Sequence, residues 1–356
     1  MSSSFPNNTD AWILENAPMS HVVVSSRARL ARNLPRLPFA PRANHEQLLH
    51  VAERIRQGFG RSDWFTPFAY YDLTGVSSQE RGFLRESHLI SSELEKGGVG
   101  RGVYLNRAMD ASIMINEEDH LRMSTLISGL RIDEAYGRLV EMERQVEEVM
   151  ELAWSDEFGY LTACPTNTGT GLRLSVMLHL PALAMVGQVE ETLASLASFG
   201  LIVRGAYGEH SEHMGDLFQI SNEVTLGKSE HQILKILEKI VGQIIERELQ
   251  AREVLMQEAR DKLEDAVCRA VGVLGMVRRI DSVEAISLLS RVRLGIGQPW
   301  GIALSHPQLS RLFVDIQPSH LQSRRTADEG PESRDLARAS LLRSTFLIDG
   351  HSGGNN

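Results

Sequence analysis

Hydrophobic and polar positions follow two rhythms along this chain. Short aliphatic runs separated by turns dominate the first two thirds, and a 3.6-residue period takes over beyond residue 229. Val22, Val23 and Val24 predict a short buried strand, and the alternation after it puts Arg27 and Arg29 on one side. Amphipathic spacing predicts helices over 45–58 and 78–92, with a strand across 66–73 between them. Strands are expected at 102–106 and 111–116, then an apolar stretch at 121–127 and a long helix from 133 to about 153. A helix over 183–198 and strands over 201–209 and 216–222 follow. Ser229 is the expected N-cap of a helix whose period continues with few breaks to about residue 270. Further amphipathic helices are predicted at 282–295 and 331–342, with no strand after 261. The expected units are a leader (1–20) that docks through Trp12, Ile13 and Leu14, a mixed unit (21–255) and a helical unit (256–350).

Composition narrows the class. The chain has 356 residues, 42% hydrophobic and 23% charged, as in an ordinary globular protein with a full core. A net charge of −9 argues against nucleic acid or a membrane surface as partner, and makes local arginine clusters stand out. Two distant cysteines, Cys164 and Cys268, suit a reducing cytoplasm and no disulfide framework. No apolar run approaches the ~20 residues of a membrane helix.

The candidate chemistry centres on residues 161–181, LTACPTNTGTGLRLSVMLHLP. Cys164 and Arg173 flank a Gly/Thr-rich loop suited to holding phosphate, although no Lys-Ser/Thr follows its second glycine as a P-loop requires. Five arginines stand at or near predicted strand ends: Arg27, Arg29, Arg122, Arg173 and Arg204. A nucleoside triphosphate is a ligand that needs so many forked cations. Glu118 and Glu209, also at strand ends, could clamp a cationic acceptor and take up its proton, with Cys164 as an orienting thiolate. Scattered structural salt bridges are the plain alternative for the arginines, an exposed acidic turn for Glu117-Glu118-Asp119, and a structural role for His88.

Five segments in this order, SSRARLARN, NEEDHLR, CPTNTGTGLR, RGAYGEHSE and QISNEVTLGKSE, closely resemble the signature segments of the phosphagen (guanidino) kinases. The resemblance spans roughly residues 21–250 and is nearest to the bacterial protein-arginine kinases. About twenty residues precede the first motif, where kinases of free guanidino amino acids carry a helical domain that closes over the substrate. Arg334-Asp335-Leu336-Ala337-Arg338-Ala339 resembles the RDxxRA motif by which the bacterial enzymes recognise phosphoarginine. Thr168 departs from the usual aliphatic residue, and His210 and His213 make their loop more basic than is common.

The resemblance implies an α+β fold: an antiparallel sheet flanked by helices, then a smaller all-α domain. It implies ATP contacts from Ser25, Ser26, Arg27, Ala28, Arg29, His88, Arg122, Arg173, Leu174, Ser175, Val176, Met177, Arg204, Gly205, Ala206, Tyr207, Gly208 and Glu209. Glu118 becomes the catalytic base, Glu209 its partner carboxylate and Cys164 the active-site cysteine, while Arg334, Asp335, Arg338 and Ala339 bind phosphoarginine. The Gly-Thr run becomes the hinge between the nucleotide and acceptor halves. The implied activity is ATP- and Mg²⁺-dependent phosphorylation of exposed arginine in protein substrates, with Mg²⁺ held by phosphates and water and no protein metal site. A Clp-type unfoldase-protease, a zinc-containing activator and a homodimer are the implied partners. A kinase of free arginine or another guanidino compound, or a non-catalytic phosphoarginine-reading adaptor, are the alternatives.

Overall fold

The computed structural model describes residues 13, 17–205, 214–323 and 330–347. The strands are β1 (Val23–Arg32), β2 (Phe68–Asp72), β3 (Gly102–Asn106), β4 (Ala111–Ile115), β5 (Leu121–Ser128), β6 (Trp154–Ser155), β7 (Gly159–Tyr160), β8 (Leu172–His179), β9 (Leu201–Gly205) and β10 (Leu217–Asn222). All but the small β6–β7 hairpin join one antiparallel sheet of order β2-β3-β4-β5-β1-β8-β10-β9. β1 lies at its centre and runs ten residues, well past the valines that predict it. Ladders to β5 and β8 on both sides extend it through the polar Ser25–Arg29 segment, whose side-chain pattern reads only weakly as a strand.

One sheet face is apolar. Ala28, Leu30, Met123, Leu174, Val176 and Ile220 are almost fully buried there. They pack in one core with α1 (His45–Phe59), α4 (Ile132–Val149) and α7 (Glu230–Glu258). Helix starts follow local chemistry. Asn44 with Gln47 caps α1, and Ser229 with Gln232 caps α7, each through a reciprocal capping box.

Three predicted helices are interrupted. Residues 78–92 form α2 (Ser78–Glu86) and α3 (Ser92–Glu95), parted where His88 takes a left-handed φ of 61°. The 183–198 segment becomes α5 (Pro181–Met185), α6 (Val189–Ala194) and a short 3₁₀ turn, with Gly187 at φ 72° between the first two. The long period from 230 breaks at Ala259, after which α8 (Arg260–Met276) begins. With α9 (Ser282–Gly295), α10 (His306–Asp315), α11 (Pro318–Ser323) and α12 (Gly330–Leu347), α8 builds a second core. That core also takes Leu217 and touches Val24 and Met177, so the helical region docks against one end of the sheet. Trp12 and Leu14 lie outside the described residues, and Ile13 packs beside Leu126 and Val314. No helix among the described residues is long and apolar enough to cross a membrane.

Candidate active site

The second sheet face is cationic, and strand register explains why. Residues directly opposite in neighbouring strands share a face. Arg29 lies opposite Ser124 on β5 and Arg173 on β8, and Arg27 lies opposite Ser175, which itself faces Ser221. Arg122 pairs with Ala31, and Arg204 with Gln219, which continues the row from Met177. All five predicted arginines therefore project from one surface, together with Ser25, Ser175 and Met177. Ser26, Ala28, Leu174 and Val176 have the opposite parity. Their side chains belong to the other face, where the Ser26 hydroxyl donates to Gly129 O at 2.8 Å and accepts from Arg131 N at 3.0 Å.

Like charges opposite each other on adjacent strands repel. Arg29 and Arg173 are such a pair, and the Nε and Nη2 of Arg29 are buried without a hydrogen-bond partner among the described residues. Burial, then Arg27, Arg122, Arg173 and Arg204, push the Arg29 pKa well down. Arg27 is lowered to about 10 by burial and by Arg122. Its guanidinium is fixed by Ser124 Oγ at 3.0 Å and by the backbone carbonyl of His88 at 2.9 Å. The imidazole of His88 is held down to about 3 by burial, Arg27 and Arg85, so it is neutral at pH 7. Burial, Arg204 and Arg122 likewise lower Arg173, against a raising influence from Cys164. Arg173 reaches Asn167 Oδ1 at 3.4 Å.

Between β4 and β5 the chain turns tightly through Asn116, at φ 53°, whose N–H donates to His120 O at 3.1 Å. The Asn116 amide ties this turn to Leu48 O and Gly100 O at 2.9 and 2.7 Å. The three acids that follow have separate fates. Glu117 is buried and paired with Arg122 at 2.6 Å; burial, the largest single influence, raises its pKa, but Arg122 together with hydrogen bonds from Ser91 and the Glu118 backbone leaves it lowered. Asp119 is buried and accepts from Asn33 Nδ2 at 2.6 Å and Ala163 N at 2.7 Å. The half-buried carboxylate of Glu118 makes no hydrogen bond or salt bridge among the described residues. Burial, Asp119 and Glu117 raise its pKa, with Arg122 and Arg173 opposing.

Asp119 is the residue that the sequence reading missed. By holding Ala163 it fastens the acidic turn to the segment carrying Cys164, whose Sγ lies 3.0 Å from Thr166 Oγ1. The Gly-Thr run after it is tied to neighbouring segments by hydrogen bonds. Thr225 Oγ1 donates to Thr166 O at 2.9 Å and Thr168 O at 2.7 Å, and Tyr160 and Gly169 exchange backbone bonds. At Gly169, φ 107°, an added Cβ would lie 2.6 Å from Thr225 O, so this glycine serves close chain packing.

Among the other predicted residues, Gly205 ends β9, while Ala206, Tyr207, Gly208, Glu209, His210 and His213 lie outside the described residues. On α12, Arg338 is buried, with Nε bonded to Ile316 O at 2.9 Å and Nη1 to Ile280 O at 2.9 Å and Asp335 Oδ1 at 2.7 Å. Ala339 is fully buried, and Asp335 also lies 3.8 Å from Arg279. Arg334 is half-buried, with no hydrogen bond or salt bridge among the described residues. No group of three or more His, Cys, Asp or Glu among the described residues could hold a metal ion.

Comparison with known proteins agrees with this geometry. Residues 50–251 match the ATP:guanido phosphotransferase C-terminal catalytic domain, and residues 260–353 match the protein-arginine kinase McsB C-terminal domain. The chain is 42% identical to the protein-arginine kinase of Halothermothrix orenii, over 95% of this chain and 96% of that one. It is 40% identical to that of Bacillus mycoides, over the same shares. Among solved structures it resembles lombricine kinase (TM-score 0.59, 28% identity), over 70% of this chain and 72% of that one. It also resembles the duplicated taurocyamine kinase of Schistosoma mansoni (TM-score 0.59, 29% identity), over 65% of this chain but 33% of that longer one. The chain belongs to the ATP:guanido phosphotransferase family and, within it, to the protein-arginine kinases.

Proposed function

We propose that the protein transfers the γ-phosphoryl group of ATP to the guanidinium of arginine side chains in other proteins. The observation that carries this reading is Arg29, whose buried Nε and Nη2 have no hydrogen-bond partner among the described residues, standing among four further arginines. Such a surface is self-repelling until a polyanion neutralises it, and a triphosphate whose charge shifts during transfer meets that need. Arg27, Arg29, Arg122, Arg173 and Arg204 hold the phosphates. Mg²⁺ would supply further neutralisation of the phosphate charge; Glu117 and Asp119 are committed to Arg122, Asn33 and Ala163, so the ion would be held mainly by phosphates and water.

An arginine guanidinium has a pKa above ~12 and is a poor nucleophile until a proton is removed. Glu118 accepts that proton as the N–P bond forms and the bond from Pγ to the bridging oxygen of ADP breaks. Its pKa, raised by burial and by Asp119 and Glu117, makes it a stronger base than an ordinary carboxylate. Glu209 and Cys164 orient the other guanidinium nitrogens. A protein acceptor is favoured over a free amino acid because the relatives similar over nearly the whole chain are protein-arginine kinases. Arg334 reads phosphoarginine from α12, while Asp335, Arg338 and Ala339 hold that helix in place. Delivery of marked proteins to a Clp-type protease, a zinc-containing activator and a homodimer rest on the family resemblance alone.

The test is incubation with MgATP and either denatured casein or free arginine, followed by detection of acid-labile phosphoarginine. Label on casein that disappears in Glu118→Gln, with ATP affinity retained, supports the proposal. Label on free arginine alone moves the activity to a small guanidino substrate, and transfer retained in Glu118→Gln removes Glu118 as the base.

A further inference from the structure

Arg27 is anchored by a carbonyl, and what fixes that carbonyl is a contact from the far end of the chain. Glu86 closes α2 and is 6% exposed, with both its oxygens bonded to α11. Oε1 accepts from Ser319 N at 2.9 Å, and Oε2 accepts from His320 N at 3.0 Å and His320 Nδ1 at 2.8 Å. The other ring nitrogen, Nε2, lies 3.3 Å from Ser87 Oγ, and the His320 ring packs on Phe83 with centroids 4.2 Å apart. Gly82 completes the fit, since a Cβ there would collide with Ser319 Oγ.

The two residues after Glu86 matter for the site. Ser87 ends α2, and His88 follows in the left-handed region at φ 61°. A residue with a Cβ resists that conformation by roughly 1–2 kcal/mol, so it persists only where its surroundings fix it. The reversal points His88 O at Arg27 Nη2, 2.9 Å away. On the other side, Ile316, two residues before α11, is gripped through its carbonyl by Arg338. The helical C-terminal region therefore holds α11 at one end and sets the end of α2 at the other.

We propose that Glu86 is a positioning residue of the nucleotide site. Seated on Ser319 and His320, it fixes the Ser87–His88 reversal and so holds Arg27 where phosphate is bound. This role rests on the reading that Arg27 meets ATP. It makes the C-terminal helical region a support of the nucleotide site. Glu86 touches no reacting atom; it acts through the His88 carbonyl and Arg27.

The test is a double-mutant cycle on ATP affinity, measured by calorimetry on the full chain, with circular dichroism confirming folding. Glu86→Gln presents an amide N–H₂ where His320 donates, and is expected to weaken ATP binding about tenfold, the loss of one charge-assisted bond. In an Arg27→Ala background it is expected to add little. His320→Asn keeps a donor at the Nδ1 position and should bind ATP nearly as the parent does, whereas His320→Leu should match Glu86→Gln. If Arg27→Ala weakens ATP binding but Glu86→Gln does not, or if the two losses add in full, the positioning role is overturned. If Arg27→Ala leaves ATP affinity unchanged, the nucleotide reading of the arginine face falls instead.

Discussion

Arg29 and Arg338 both have buried guanidinium nitrogens, and the fold treats them oppositely. Arg338 sits among chain ends: Ile316 caps α10 and Ile280 precedes α9, so both offer carbonyls that no helix uses. Arg32, at the end of β1, is satisfied the same way by Ala31 O, Thr170 O and Glu143, and it stacks 3.4 Å over Tyr160. Arg29 lies mid-strand with ladders on both sides, where backbone carbonyls point at neighbouring strands and not at side chains. Its Nε and Nη2 remain unmatched among the described residues. An arginine in the middle of a sheet cannot be satisfied by the sheet's own backbone, so its partner must come from outside the sheet, as the His88 carbonyl does for Arg27. Arginine content alone does not distinguish structure from ligand; the supply of unused acceptors does.

The largest effect this contrast predicts is at Arg338. Arg338→Ala leaves Asp335 and two carbonyls without their donor in a buried setting, at a cost of about 3–5 kcal/mol. Denaturant unfolding should show the loss as a lower midpoint. A midpoint equal to the parent's would mean that Arg338 is not a structural arginine, and the contrast would fail.

Arg29→Ala should do the reverse. Removing one member of the Arg29/Arg173 pair relieves cross-strand repulsion, so the unliganded protein should be unchanged or more stable by up to ~1 kcal/mol. Ligand-linked stabilisation should collapse. Tripolyphosphate at about a hundred times its dissociation constant should stabilise the parent by ~2.7 kcal/mol, and the variant at that same concentration by far less. Equal stabilisation of both proteins in thermal melts would show that the unmatched nitrogens do not face the anion.

Carboxylates sharpen the comparison. Glu117 and Asp119 are committed to protein partners, whereas the Glu118 carboxylate between them has none among the described residues. Its folded-state pKa is raised, by burial first and then by Asp119 and Glu117. Transfer that needs the ionised form should fall on the acid side with a midpoint above an ordinary glutamate's. Well below that midpoint, each pH unit costs about tenfold in rate, or ~1.4 kcal/mol. ATP affinity, carried by the arginines, should vary less over the same range. A rate profile with an ordinary or depressed midpoint would place the proton elsewhere.

Much of this was legible because local and tertiary demands agree. Capping boxes at Asn44 and Ser229 mark helix starts, and alternation already sets Arg27 and Arg29 on one side. The breaks were harder to read. Nothing in Ser87–His88 resembles a helix stop, because what ends α2 there is a contact with residues 319 and 320, more than 230 positions away. The extent of β1 was hidden since one of its faces is charged, and a charged face does not read as strand. Asp119 looked like one of three equal acids until Ala163 and Asn33 were seen to hold it. The RDxxRA segment was legible as a motif, but only packing divides its two arginines.

That division gives the smallest predicted effect and the sharpest test of the contrast. Arg334 and Arg338 share a helix and a motif, yet Arg334 has no acceptor among the described residues. Arg334→Ala should therefore shift stability by no more than ~0.5 kcal/mol, the range of surface substitutions. Under the proposed role it should still weaken phosphoarginine binding about tenfold or more, since a forked cation–phosphate contact is lost. Equilibrium unfolding and phosphoarginine titration on the same preparations separate the two quantities. If Arg334→Ala destabilised the protein as much as Arg338→Ala, unmatched donors would not be the mark of a ligand-facing arginine in this fold.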